Sequence, residues 1–299
     1  MRLKQFDLHL HSYYSDGHDS LKKLVKRAKK AGFSLISITD HNTLEHLENC
    51  ARIAKDLKIN ILPGAEIGVT VNGKDLHLLA FGFEKNNSGI KKLFNYLKRK
   101  RKKEIEKITL RLRKNNFLIT LDEINGIRAD YPGLAHIVRI MLKKPAIKKR
   151  IKKEVGSSNV YSIINHYFSK GKLAYVQEKF PSAKTVIKTI KKAGGIVSLA
   201  HPGFHLSFSE DKIIQKLKKS GLDCLEVFTP KHNWEQTIHY ELLTKKLNLV
   251  ITAGSDYHFI EHKTLIPLAS PLGFQKIPPG VYDDFLKYLK KKTDYKFTK

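Results

Sequence analysis

The stretch QFDLHLH, residues 5–11, determines how the rest of the chain is interpreted. Apolar and polar side chains alternate along it, and this period of two is typical of a β-strand. One face of the strand is therefore apolar, whereas the other carries Asp7, His9 and His11. Two imidazoles side by side on one face can chelate a single metal ion, and Asp16 adds a carboxylate in the loop that follows. This pattern favours a metal site over a purely structural role.

Strands and helices alternate after this stretch, which predicts βαβ units and a mostly parallel sheet. Asn72-Gly73 predicts the two-residue turn of a hairpin. The other predicted strands cover residues 34–39, 59–66, 196–200, 222–228 and 249–253, and the predicted helices between them cover residues 20–31, 44–57, 182–193, 211–220 and 234–246.

The middle of the chain has only helical patterns. Residues 91–114 contain 12 lysines and arginines and two acidic residues, yet they keep an apolar stripe at helical spacing. Ser88 is expected to cap this helix, and a further helix is expected over residues 134–153. We therefore expect an α/β domain of residues 1–84 and 176–299 with an inserted all-helical cap of residues 85–175.

Composition restricts the class of protein. The 299 residues include 56 lysines and arginines against 28 acidic residues, a formal charge of +28 that attracts polyanions such as nucleic acid. A lysine-rich surface without any partner is the alternative. No apolar run approaches the roughly 18 residues of a membrane span, and the N-terminus lacks a signal-peptide pattern. With only two widely separated cysteines, a cytoplasmic protein without disulfides is expected.

Histidine, aspartate and glutamate recur at or just after the other apolar segments, where barrel enzymes place their active sites. Any one of these residues can be structural, but their repetition indicates a common site. They are Asp40, His41, Glu66, His77, His201, Asp256 and His258.

Taken in order, five motifs resemble those of the PHP (polymerase and histidinol phosphatase) family of metal-dependent phosphoesterases. The resemblance spans nearly the whole chain and implies a distorted (β/α)7 TIM-like barrel with a metal cluster at the strand ends. The helical insert resembles the cap of the branch that acts on nucleoside 3′,5′-bisphosphates and RNA 5′ ends. The motifs are HLHSYYSDG (residues 9–17), TDH (39–41), PGAE (63–66), LAHPG (199–203) and GSDYH (254–258).

The resemblance also implies nine ligands for three divalent ions. Six imidazoles and three carboxylates suit Mn²⁺, Fe²⁺ or Zn²⁺ better than Mg²⁺ or Ca²⁺. Asp7 and Asp40 are expected to fix the tautomers of ligand histidines, although Asp40 can equally cap the next helix. The three implied ligand sets are His9, His11, Glu66 and Asp256; Glu66, His77 and His201; and Asp16, His41 and His258.

The cap departs from the family pattern. The related enzymes have an Arg-Pro-His segment that faces substrate phosphate, whereas this chain keeps His136 and has Leu134 in place of the arginine. Arg139, one helical turn after His136, can supply the missing contact or can be an ordinary surface residue. His136 and, with less support, His232 are expected to contact the substrate and assist the leaving group.

The sequence thus predicts a phosphoric ester hydrolase in which a metal-bound hydroxide attacks phosphorus. Expected substrates are nucleoside 3′,5′-bisphosphates or short RNA cut from the 5′ end. One alternative keeps the site but acts on a small phosphomonoester such as histidinol phosphate. The other is a nucleic-acid-binding module with a degenerate metal site, which conflicts with nine filled ligand positions. His205, close behind His201, is interpreted as structural rather than as a substrate contact. The oligomeric state is not predicted.

Overall fold

In the computed structural model, the described residues are 5–127, 129, 131–258 and 277–296. They form a mixed α/β fold in which strands and helices alternate towards both ends of the chain, and the middle has helices alone. The strands are β1 (Phe6–Leu10), β2 (Leu35–Ile38), β3 (Asn60–Ile61), β4 (Gly64–Val71), β5 (Lys74–Phe81), β6 (Ile196–Leu199), β7 (Cys224–Phe228) and β8 (Val250–Ala253). The helices are α1 (Leu21–Lys30), α2 (Leu47–Leu57), α3 (Ser88–Lys114), α4 (Leu121–Asn125), α5 (Leu134–Lys143), α6 (Pro145–Val155), α7 (Val160–Phe168), α8 (Ala183–Lys192), α9 (Pro202–His205), α10 (Asp211–Lys219), α11 (Trp234–Leu247) and α12 (Val281–Lys292).

The strands form two sheets. β1, β2 and β3 make a parallel three-stranded sheet, and β4 to β8 make a five-stranded sheet in chain order. Within the larger sheet β4, β5 and β6 are antiparallel, whereas β6, β7 and β8 are parallel. Over the described residues, the ladders do not close into one barrel. Single bridges instead link the sheets at the strand ends, from Leu10 to Tyr257 and from His41 to Glu66.

The predicted hairpin is confirmed. Asn72 and Gly73 connect β4 to β5 with φ of 49° and 78°, the positive values that a two-residue turn of this kind needs. The predicted third strand, residues 59–66, is instead two strands, because Pro63 has no backbone N–H and separates β3 from β4.

Two helix predictions are corrected. Asn87 rather than Ser88 caps α3, because its side chain accepts a hydrogen bond from the backbone N–H of Gly89 at 2.9 Å. The helix expected over residues 134–153 is divided between α5 and α6, since Pro145 disfavours helical backbone at Lys144. Of the helices in the described ranges, none has a stretch long and apolar enough to cross a membrane.

The apolar core falls into separate clusters. One joins the two sheets to flanking helices, and it includes Leu93 and Leu97 from the first half of α3. A second lies wholly among the helices between residues 105 and 176, and it includes Leu112 from the second half of α3. The helices therefore bury apolar surface against one another, and α3 extends from one core to the other.

Candidate metal centre and active site

The strand ends bring all nine predicted ligands together. Their nitrogen and carboxylate oxygen atoms form overlapping groups in which the ligand atoms lie within 4.8 Å of one another. We call these nine residues the candidate metal cluster. The groups are His9, His11, Glu66 and Asp256; His11, Asp16, His41 and His258; His41, Glu66 and His77; and His77 and His201 with the additional His205.

Glu66 lies at the centre of the cluster and is fully buried. It is the third residue of β4, and it forms a bridge with His41 in the segment that follows β2. A carboxylate shared among so many imidazoles is suited to metal coordination. Its oxygens lie 2.8 to 3.2 Å from ring nitrogens of His9, His11, His41, His77 and His201.

The backbone around the cluster is strained and tightly packed. His201 and Asp256 adopt φ of 26° and 52°, in a region that residues other than glycine rarely occupy. Gly254 faces the cluster, where an added Cβ would lie 2.2 Å from the Cβ of His9 and 2.6 Å from an oxygen of Glu226. Only glycine therefore lets the end of β8 approach β1. Strain of this kind is concentrated at functional sites.

Burial and close opposite charges shift the pKa values of the cluster residues. Burial would lower the pKa of His11, but the carboxylates of Asp256 and Glu66 beside its ring raise it to about 10. Burial would raise the pKa of Asp16, yet the His258 and His41 imidazoles hold it well below its ordinary value. The carboxylates therefore favour positive charge beside them.

The donor atoms fit divalent transition metals. Within the described ranges, the buried Nε2 of His11, Nδ1 of His77 and Nδ1 of His201 have no hydrogen-bond partner. Buried polar atoms are normally paired, so unpaired nitrogens facing carboxylates suggest coordination instead. Imidazole nitrogens mixed with carboxylate oxygens suit Mn²⁺, Fe²⁺ or Zn²⁺.

The roles predicted for Asp7 and Asp40 need correction. Asp7 accepts hydrogen bonds from backbone N–H groups, those of His9 at 3.2 Å and Ser255 at 3.0 Å. It thus joins β1 to the segment after β8, and no hydrogen bond links it to an imidazole among the residues that the structure describes.

Asp40 organises the loop that carries Asp16. It accepts hydrogen bonds from the hydroxyls of Ser12 and Ser15, both at 2.6 Å, and from the backbone N–H of Ser12. Asp40 is also not a helix cap, because α2 begins seven residues later, after His46. The bonds of both serines to Asp40 give them a structural role.

Glu226 takes the role expected of those aspartates, and sequence reasoning missed it. This fully buried residue of β7 lies 3.0 Å from Nδ1 of His9, and its other oxygen accepts from the backbone N–H of His201 at 2.7 Å. It thereby orients two candidate ligands from behind. The available signal was a single acid within the otherwise apolar strand CLEVF, residues 224–228.

A cavity of about 240 Å³ opens beside the cluster, between the strand ends and the helices. Asp16, His41 and His77 line it on one side. Leu134, the residue in place of the family arginine, lines the opposite side together with Gly133, Tyr131 and Arg101. A ligand in this cavity would therefore contact both parts of the chain.

Two of the predicted substrate residues lie near the cavity. Arg139 reaches across to the loop of β1, where its guanidinium donates to the carbonyl oxygen of Asp16 at 3.3 Å. His136 is buried, and its Nδ1 accepts from the backbone N–H of Gly133 at 3.1 Å. That bond assigns the ring hydrogen of a neutral His136 to Nε2.

His232 has a different environment. Its Nδ1 lies 2.9 Å from the carbonyl oxygen of Val227, and its Nε2 accepts from the backbone N–H of Gly203 at 3.0 Å. Because both nitrogens bond to the backbone, the structure does not support the expected contact with substrate. His232 instead fixes the turn that follows His201.

Comparisons with known proteins agree with this site. The family model described as the PHP domain matches residues 7–195. A 5′-3′ exoribonuclease of Haemophilus influenzae is 28% identical over 86% of this chain and 90% of its own length. A phosphoribosyl 1,2-cyclic phosphate 1,2-diphosphodiesterase of Eggerthella lenta is 26% identical over 84% and 93%. A 3′,5′-nucleoside bisphosphate phosphatase of Chromobacterium violaceum is 22% identical over 86% and 88%.

The fold has relatives among solved structures as well. A Bifidobacterium adolescentis protein predicted to be a metal-dependent phosphoesterase superposes with a TM-score of 0.80 and 24% identity, covering 97% of this chain and 96% of its own. The match to the family model covers well over half of the chain. The chain therefore belongs to the PHP domain family, and the resemblance drawn from its motifs to these metal-dependent phosphoesterases is confirmed.

Proposed function

We propose that the protein hydrolyses phosphate esters of nucleotides, either nucleoside 3′,5′-bisphosphates or the 5′ ends of short RNA. The observation that supports this most strongly is the candidate metal cluster opening onto a cavity large enough for part of a nucleotide. The names of the exoribonuclease and bisphosphate phosphatase relatives support the substrate class. The formal charge of +28 also favours a polyanionic substrate.

The proposed architecture is a distorted barrel of residues 1–84 and 176–299, capped by the helical segment of residues 85–175. The bridges at Leu10–Tyr257 and His41–Glu66 support closure at the strand ends. The separate apolar cluster among the helices supports the cap as a unit of its own.

Three divalent ions, Mn²⁺, Fe²⁺ or Zn²⁺, are proposed to occupy the cluster. When bound, such ions would lower the pKa of bound water to about 7 and would offset the negative charge that develops on phosphate oxygens. The proposed ligand sets are His9, His11, Glu66 and Asp256; Glu66, His77 and His201; and Asp16, His41 and His258.

The helical segment is proposed to bind and orient the phosphate. Arg139 lies 3.3 Å from the carbonyl oxygen of Asp16 and is close enough to donate to a phosphate oxygen at the cluster. His136 offers its Nε2–H as a hydrogen-bond donor. Burial and the nearby Arg139 charge lower the pKa of His136 to about 4, so it stays neutral and donates without giving up its proton. His232 acts as a positioning residue beneath the turn after His201.

The test is phosphate release by the wild type and by the double variant H9A/H11A, with Mn²⁺ added. We expect release from 3′,5′-bisphosphorylated adenosine and mononucleotide release from 5′-phosphorylated RNA, both abolished in the variant. His166 is exposed in α7, so H166A serves as the control and should match the wild type. Full activity of H9A/H11A would contradict the proposal.

Substrate class is tested in the same assay. Histidinol phosphate and a cyclic phosphate diester of ribose replace the nucleotides, at equal concentration. A clear preference for either would overturn the nucleotide assignment while leaving a phosphoesterase. RNA binding without turnover with any of the three metals would instead favour a binding module.

A further inference from the structure

We infer that His205 is a further metal ligand, which completes the coordination of the ion proposed at His77 and His201. The inference rests on the proposed function, and it concerns a residue that the family motif does not include. It converts the second ligand set from two imidazoles and a carboxylate into three imidazoles and a carboxylate.

The position of His205 follows from the backbone. After His201 the chain forms a single helical turn, α9, in which Phe204 and Leu206 donate backbone hydrogen bonds to His201 and Pro202 at 3.0 and 2.8 Å. A spacing of four residues places side chains on the same face of a helical turn. His205 therefore returns to the side on which His201 faces the cluster.

The turn is held in place from below. The backbone N–H of Gly203 donates to His232 at 3.0 Å, and its carbonyl oxygen accepts from the side chain of Gln236 at 2.8 Å. A Cβ on Gly203 would lie 2.8 Å from Gln236 and 2.9 Å from His232, so these side chains pack directly against the turn. His205 is thus presented by a fixed element, as a metal ligand needs to be.

The imidazole of His205 is close to both partner ligands. Its ring centroid lies 5.1 Å from that of His201 and 5.3 Å from that of His77. Ligand nitrogens of the three residues lie within 4.8 Å of one another. Three nitrogens at these separations can reach one cation with small side-chain adjustments.

One ring nitrogen of His205, Nε2, is buried without a hydrogen bond among the described residues. The same holds for a ring nitrogen of His77 and of His201. A buried, unpaired Nε2 of His205 beside the ligand atoms of His77 and His201 is costly unless a cation pairs with it. With Glu66 as the fourth donor, the set suits Zn²⁺ or Fe²⁺ and disfavours Mg²⁺.

The test replaces the imidazole with a ligand that reports its own coordination. The full-length H205C variant is loaded with Co²⁺, and its absorption spectrum is compared with those of the wild type and of H166C, which places a thiol on the exposed histidine of α7. We expect a near-ultraviolet sulfur-to-cobalt charge-transfer band in H205C alone. We also expect competition with a chelator to show that H205A binds one of its ions with an affinity about tenfold or more below that of the wild type.

The outcomes separate this inference from the proposed function. Equal melting temperatures of wild type, H205A and H205C in chelator establish that folding is unaffected. A wild type that binds Co²⁺ and hydrolyses nucleotides, together with an H205C spectrum that lacks the band, overturns the role of His205 and leaves the function standing. A wild type that binds no ion overturns both.

Discussion

The candidate metal cluster and the helical segment form opposite walls of the same cavity, but they are built differently. In the cluster the imidazoles and carboxylates pack against one another, and Glu66 alone approaches five imidazoles. The helical segment lines the cavity with few charged side chains, Arg101 among them, and Arg139 lies near it, bonded to the carbonyl oxygen of Asp16. We infer that substitutions in the cluster cause large and cooperative losses of metal binding and activity. Substitutions in the helical segment should cause small losses that are independent of one another.

The largest expected effect comes from E66Q. An amide cannot supply the negative charge that two cations share, so the variant should lose bound metal and at least about a thousandfold in turnover. Elemental analysis and phosphate release measure the two losses together. Glu45 is exposed, and E45Q is therefore the matched control. If E66Q keeps its metal, the proposed bridging role is wrong.

The second prediction tests whether Glu226, which orients two of the ligands, contributes to metal binding as the ligands do. E226Q should weaken metal affinity by about 10- to 100-fold, because Glu226 orients His9 and the backbone of His201 without reaching the cavity itself. Competition with a chelator measures the change. E235Q, on the exposed face of α11, should leave affinity unaltered. Equal affinities in the two variants would show that the cluster does not depend on its support.

The third prediction concerns the opposite wall. R139A should raise KM for 3′,5′-bisphosphorylated adenosine by about tenfold and leave bound metal unchanged, since it removes one charge-assisted hydrogen bond to phosphate. R113A, which removes an exposed arginine from the same segment, is the control. Introducing L134R into R139A should restore part of the affinity, because residue 134 lines the cavity. A loss of metal in R139A would contradict the separation between the two walls.

The same difference explains how far sequence alone could lead. His9 and His11 were predicted because strand alternation fixes which side chains share a face, and parallel strand ends converge whatever the details of packing. Glu226 was missed because it is a single acid in an otherwise apolar strand and lies outside the five motifs. The partners of Asp7 and Asp40 depend on distances between segments, which periodicity does not contain.

In the helical segment the pattern predicted the existence of helices but not which residues reach the cavity. Arg139 and an ordinary surface arginine have the same local sequence context, and only the packing of α5 separates them. His232 shows the converse error, since a histidine after a strand need not face the site. His205 shows that even a ligand position can lie outside the family motif.

The smallest expected effect concerns the buried charges on the helical side of the cavity. It tests whether each carboxylate there is neutralised by a cation, as the carboxylates of the cluster are by their neighbours. Glu104 in α3 is buried beside Arg101 at 3.6 Å, and Arg101 also faces Glu178 at 3.7 Å, so two carboxylates share one guanidinium. Burial, reinforced by the Glu178 charge, raises the pKa of Glu104 from 4.5 to about 7. An acid with a raised pKa in the folded state stabilises the protein below pH 4.5, and this contribution is lost as the pH rises through 7.

E104Q should therefore be more stable than the wild type at pH 8, by about 1 kcal/mol or roughly 2 °C in Tm, with a smaller difference at pH 5. Thermal unfolding of both proteins at the two pH values measures this. Glu106 is exposed on the same helix, and E106Q should show no such dependence. An equal difference at both pH values would show that Glu104 is ionised throughout. In that case Arg101 neutralises both carboxylates, and this wall would be as fully paired as the cluster opposite.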